Sequence, residues 1–394
     1  MENNIVITGG ELFNKGAQSM TFTVVDELKK RFPEKEIYLF SGGDYKRDKS
    51  EKRQYNFNIL PLGPWICLRK LYPFFKPFIK NKHYSNEVER ELTEVIKNTK
   101  FVVDISGYNL SSQFGAKSSY SYLLRVKLFK KYDVPIYIFP QSIGPFDYKF
   151  PYKVVLDRMI SSTLSYPEII LPRENHGYEL LKKHGLNNVE KNVDTVFYQD
   201  ELELANIYND IPKLNVPEIK ENSVAIVPNS KVLRHNFGND IDEIYEAILE
   251  YLIDRNKNIY TFRHSFEDMD FCRRIYNLAK DYNKINLLKD DFSAIELYKL
   301  LDKFDYIVGS RYHSVVHSYK NQTPALIIGW AVKYKELSKM FDQENYCFDI
   351  RENLNIDEII NKLNVLNNNY ENDSETISAK IKDIKRDNIF DKLE

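Results

Sequence analysis

Cysteine is scarce in this chain. Cys67, Cys272 and Cys347 are the three present in 394 residues, far apart and with no CxxC or CxxH pairing. That pattern speaks against a disulfide framework or a zinc site and fits a reducing compartment. A basic surplus is missing too: 56 Lys and Arg stand against 57 Asp and Glu, a net charge of −1. Nucleic-acid binders normally carry such a surplus, so nucleic acid is not an expected partner. No apolar run approaches the ~18–20 residues that a bilayer-spanning helix needs. Residues 1–7 read as a first strand, without the basic region and long apolar run of a signal peptide. No clustered metal ligands and no short repeat stand out. The expectation is a cytoplasmic protein without a metal or other cofactor.

What is present is a globular composition, 43% hydrophobic and 29% charged. The length suits two domains rather than one core. Short β-rich runs alternate with helical patterns from end to end. Strands are expected at Asn4–Thr8, Glu36–Phe40, Phe101–Ile105, Pro135–Pro140 and Glu168–Leu171. They are expected again at Ser223–Pro228, Asn258–Phe262, Lys284–Leu288, Asp305–Val308 and Ala325–Ile328. Helical patterns such as Gly16–Arg31, Ser119–Lys131, Ile241–Asp254 and Tyr312–Lys320 separate them, and the tail after Asn353 is helical. This predicts an α/β protein of two doubly wound Rossmann-like domains, 1–205 and 206–394, facing across a cleft. The polar stretch from Leu202 to Asn222, with Pro212 and Pro217, marks the boundary.

Ligands of such sheets bind at the carboxyl ends of the strands, so the residues following each strand matter most. The stretch Gly309-Ser310-Arg311-Tyr312-His313-Ser314 is the most informative. A strand ending in small residues and opening a helix aims backbone N–H groups at the turn. Arg311 and His313 add a cation and a titratable group, and in an extended stretch residues two apart face the same way. His313 acting merely as a helix cap is the plainer alternative. Lys333, after the strand and turn Ile328-Gly329-Trp330, is either a further cation of that site or a surface lysine. In the first domain the loop after the first strand carries Asn14, Lys15 and Gln18. It matches neither GxGxxG nor a Walker A sequence. Asn109 follows the third strand, Gln141 and Ser142 the fourth, and Arg173 the fifth, at the start of a helix. His264 is a weaker candidate, and His83, His176, His184 and His235 are background.

Taken together these pieces resemble the polysaccharide pyruvyl transferase family. The resemblance rests on Gly309–Ser314 with Pro324 to Lys333, supported by Asn14-Lys15-Gly16-Ala17, Gln141–Phe146 and Arg173-Glu174 with Asp194 to Phe197. It implies a GT-B-like fold and transfer of a pyruvyl group from phosphoenolpyruvate to a sugar of a cell-surface polysaccharide or its lipid-linked precursor. A pyruvate ketal and free phosphate result. It further implies that Arg173, Ser310, Arg311, His313 and Lys333 bind the donor, with Arg311, His313 and Lys333 catalytic. Asn14, Gln18, Asn109, Gln141 and Ser142 then fall on the acceptor side. Tyr108 departs from the family, standing where a Gly-Gly-Asn pattern is usual.

Phosphoenolpyruvate carries a carboxylate and a phosphate on a small frame, which calls for converging cations; an Arg fork suits either group. Protonating its CH2 calls for an acid near neutral pKa, which suits His313. A GT-B glycosyltransferase using a nucleotide-sugar donor is the alternative, since fold alone does not decide function. Residues 64–80 are aromatic and basic. They read either as an interfacial contact at the inner face of the cell membrane or as aromatics packed into the first domain. Pro73 and Pro77 argue against one continuous helix there.

Overall fold

Strands buried on both faces read as near-continuous apolar runs. Asn-Ile-Val-Ile-Thr (4–8), Ser-Val-Ala-Ile-Val (223–227) and Ala-Leu-Ile-Ile-Gly (325–329) are of this kind and are buried along their whole length. The computed structural model of the chain, which describes residues 2–75, 84–199 and 201–393, builds twelve strands among those residues into two parallel sheets. The chain divides into two compact units, Met1–Pro212 with Ile389–Glu394, and Lys213–Asn388. The division falls inside the polar segment 202–222.

The first unit holds β1 (Asn4–Thr8), β2 (Glu36–Phe40), β3 (Asn58–Leu60), β4 (Thr99–Asp104), β5 (Ile136–Gln141) and β6 (Ile169–Pro172), in the order β3-β2-β1-β4-β5-β6. The second holds β7 (Ser223–Val227), β8 (Asn258–Phe262), β9 (Ile285–Leu288), β10 (Tyr306–Gly309), β11 (Ala325–Gly329) and β12 (Cys347–Asp349), in the order β12-β11-β10-β7-β8-β9. Counted from the start of each unit, both sheets have the same order. Each reverses direction between its first and fourth strands, the β1/β4 and β7/β10 pairs. Register is fixed by apolar pairs such as Ile5↔Ile37, Ile7↔Leu39 and Ile307↔Ala325.

Helices start where their sequences supply caps. Asn14 accepts from the N–H groups of Gly16 and Ala17 at the head of the helix Lys15–Arg31. Ser293 and Glu296 form a reciprocal capping box for Ala294–Leu301. The long helix Ile356–Lys385 belongs to the second unit, whereas the last residues pack in the first. There Phe390 sits edge-on to Phe139, and Arg31 donates to Asp391 at 2.7 Å. Burial pushes the thiols of Cys67 and Cys272 up to about 12, which suits inert core cysteines.

Candidate active site

In the first unit the switch point is closed by its own side chains. Gly9 has φ +74, and a Cβ there would lie 2.1 Å from Ser106 Oγ, so the loop after β1 passes against the end of β4 only because residue 9 is glycine. Asp104, at the end of β4, accepts from Thr8 Oγ1 (2.7 Å), Gln141 Nε2 (3.2 Å), Arg125 Nη2 (3.4 Å) and the Ser106 N–H (3.2 Å). Arg173, buried after β6, pairs with the buried Asp194 and donates to Gly107 O (3.1 Å) and Ser142 Oγ (2.9 Å). Ser142 in turn donates to Glu174 at 2.6 Å. Arg173 and Ser142 therefore come together, and the Arg173 N–H donates to Gln141 O at 3.0 Å, while the Gln141 side chain turns to Asp104. Asn14 is occupied as a cap, and Gln18 Nε2 donates to Leu12 O at 3.3 Å, holding the same loop. The backbone carbonyl of Asn109 accepts from Ser118 Oγ at 3.0 Å. Tyr108 leans edge-on against Phe114, with centroids 5.1 Å apart.

The switch point of the second unit is built differently. Ser310 follows β10 and is completely buried. Its N–H donates to Val227 O (3.0 Å), its hydroxyl meets Tyr245 Oη (2.9 Å), and its carbonyl accepts from Asn229 Nδ2 (3.1 Å) and Tyr334 Oη (2.7 Å). These bonds rivet the ends of β7 and β10 together and fix where the next residues emerge. Gly329 takes part: a Cβ there would meet Tyr334 at 2.9 Å, so the ring lies against bare backbone.

Arg311 then sits at the cap position of the helix Tyr312–Lys320, in extended conformation. Its guanidinium makes a two-pronged bond to buried Asp268 (2.6 and 2.7 Å) and a further one to Glu267. That hydrogen bond and charge hold the Glu267 carboxyl below its usual range. Arg311 thus arrives with its charge already balanced.

The helix begins at Tyr312, so the two-residue alternation that would turn Arg311 and His313 the same way stops one residue short of His313. His313 lies on the first helical turn, half-buried, 5.4 Å from the Tyr312 ring and 6.4 Å from that of His317. His317 in turn lies 5.7 Å from His264.

Two lysines complete the group. Lys333 Nζ lies 4.9 Å from the Tyr312 ring centroid and 5.3 Å from that of Trp330. Lys231 Nζ lies 4.9 Å from the same Trp330 ring, which also carries His235 stacked at 5.1 Å. Contacts of this kind hold a cation in place without neutralising it. Burial, together with the charge of Arg311, lowers the Lys231 pKa. Among the described residues no group of His, Cys, Asp or Glu is arranged to hold a metal ion.

A family model described as polysaccharide pyruvyl transferase matches residues 14–331. The chain belongs to the polysaccharide pyruvyl transferase family. The matched stretch contains Arg173, Ser310, Arg311 and His313, while Lys333 lies just past its end. Comparison with curated proteins gives no significant match. Among solved structures, the S. aureus MnaA–UDP complex is similar at TM-score 0.55 and 11% identity, over 99% of this chain and 94% of that one. Anabaena HepE in complex with UDP-glucose is similar at 0.54 and 8%, over 99% and 96%. The UDP-GlcNAc 2-epimerase of Methanocaldococcus jannaschii gives 0.54 and 12%, over 93% of each chain. At these identities the likeness concerns the fold, which is that of GT-B glycosyltransferases and epimerases.

Reasoning from sequence places Lys231 and Trp330 at strand ends but does not join them to Lys333, and it does not reach the carboxylates on Arg311. Lys231 follows β7 within Pro228-Asn229-Ser230-Lys231, so the strand-end rule reaches it. Nothing local marks it as sharing a ring with Lys333.

Proposed function

We propose that this chain transfers the pyruvyl group of phosphoenolpyruvate to a saccharide acceptor, forming a cyclic ketal and releasing inorganic phosphate. The observation that carries the reading is the cation-rich turn after β10, where His313, Lys333 and Lys231 gather around Tyr312 and Trp330 at the switch point of a family member's second sheet. Arg311, balanced by Asp268 and Glu267, orients the turn and offers its remaining edge to the donor. Lys231 and Lys333 supply the net positive charge that a carboxylate and a phosphate require.

His313 gives a proton to the CH2 of the enol, leaving an oxocarbenium-like carbon. One sugar hydroxyl attacks that carbon and returns its proton to the imidazole. Phosphate then leaves with its C–O bonding pair, its charge offset by Lys333. A second hydroxyl closes the ketal and passes its proton to the departed phosphate. Arg173 contributes to donor binding through the loops it braces, and Asn14, Gln18, Asn109, Gln141 and Ser142 shape the acceptor side.

The test is phosphate release from phosphoenolpyruvate with and without a glycan acceptor. Release that depends on the glycan supports the proposal. Release of a nucleoside diphosphate from a sugar donor, with no phosphate from phosphoenolpyruvate, overturns it.

A further inference from the structure

Away from these turns, the first unit presents an apolar face that its own core does not need. The helix Pro64–Leu71 buries Ile66, Cys67 and Arg69 and turns Trp65 outward, 63% exposed. It is clamped in that orientation. Arg69 makes a two-pronged bond to Glu89 (2.9 and 3.2 Å), and Lys131 donates to Lys70 O at 2.6 Å. Beyond it, Phe74 is 82% exposed. Across the helix Gly115–Lys131, Phe150 is 83% exposed, and Tyr152, Val154 and Val155 all face solvent at the start of the helix Tyr152–Leu164. Between the two rims lies a pocket of about 670 Å³ walled by Trp65, Leu68, Tyr120, Tyr152 and Val155, with Lys117 at its edge. Contiguous exposed apolar surface of this kind marks an interaction site.

The charges around it indicate the partner. Lys117, Lys149 and Lys153 are exposed and adjoin the aromatic residues, with Asp147 the exposed acid among them, although the whole chain carries a net charge of −1. Aromatic rings beside lysines suit a lipid headgroup layer. A slot with apolar walls suits a hydrocarbon chain. No helix among the described residues is long and apolar enough to cross a membrane, so such contact is peripheral. Of the stretch 64–80 singled out in the sequence, residues 76–80 lie outside the described residues.

We propose that this face seats the protein on an anionic phospholipid bilayer. Trp65, Phe74, Phe150 and Tyr152 enter the headgroup region, the lysines lie over phosphates, and an acyl chain fills the pocket. The full-length chain is floated with phosphatidylcholine vesicles, with and without phosphatidylglycerol, at low and high salt. The expected result is flotation with the anionic vesicles, weakened by salt. It should weaken by roughly tenfold or more in Lys117→Glu/Lys149→Glu/Lys153→Glu and be lost in Trp65→Ser/Phe74→Ser/Phe150→Ser. Vesicles with brominated acyl chains should also quench Trp65 fluorescence in Trp330→Phe, which leaves the face itself unaltered. Three results overturn the proposal: no flotation with either vesicle, no quenching, or a dimer that the aromatic variant converts to monomer, since a second copy would then cover the face.

Discussion

The two sheets share one strand order, yet their switch points are chemically opposite. In the first unit the carboxylate of Asp104 is buried among four donors, and the buried guanidinium of Arg173 is paired with Asp194 and bonded to Ser142 and Gly107. In the second, the backbone is just as firmly fixed around Ser310, but the cations beyond it, Arg311, Lys231 and Lys333, are half-buried, with two carboxylates, buried Asp268 and exposed Glu267, on Arg311. Topology therefore nominates two sites of equal standing, and side-chain accounting separates them. A buried, neutralised network is a framework on which loops are shaped. A rigid turn bearing partly exposed cations and a histidine is equipped for an anion.

The contrast makes loss of His313 the most costly change to chemistry. His313→Ala should lower glycan-dependent phosphate release by ~10²–10⁴-fold with little effect on the denaturation midpoint. Near-normal turnover would remove His313 from the reaction. Arg173→Ala should do the reverse, destabilising the fold by ~3–5 kcal/mol, because Asp194 would stay buried without its partner. Urea unfolding measures this, and a loss under ~1 kcal/mol would show that the first unit's network is not the framework described. Gly329→Ala should cost ~1–3 kcal/mol through overlap with Tyr334, whose position 2.9 Å from the added Cβ leaves no room. An unchanged midpoint would mean that the ring is free to withdraw from Ser310.

The smallest effect concerns pH. Glu267 has its pKa lowered from 4.5 by Arg311, so it is stabilising when ionised. Its contribution is complete above about pH 4.5 and fades as pH falls through the lowered value. Thermal midpoints of the protein and Glu267→Gln should differ near neutrality and converge in acid. A gap that widens in acid would reverse the sign assigned to this pair.

Much of this was legible before folding was considered. β1, β2 and β8 have the bounds their apolar runs suggest, and the turn after β10 lies where the strand-to-helix change of period puts it. β3 and β12 were not legible, because three residues carry no period. Nor was the state of the charges. Arg311 and Asp268 are 43 positions apart, and only the chain's path through β8 and β10 brings them into register. An arginine looks equally available in sequence whether it is later buried against one aspartate, as Arg173 is, or held at a turn by two carboxylates, as Arg311 is.

The most direct check uses the tryptophans, of which the chain has two. In Trp65→Phe the remaining indole, Trp330, has Lys231 Nζ 4.9 Å and Lys333 Nζ 5.3 Å from its ring centroid. Titrating phosphoenolpyruvate should change its fluorescence saturably, with affinity falling at least about tenfold when Lys231 or Lys333 is replaced by Ala, as for loss of a charge-assisted contact. An indole that does not respond at phosphoenolpyruvate concentrations supporting turnover, or an affinity indifferent to both lysines, would place the donor elsewhere and contradict the assignment of the second unit's turn.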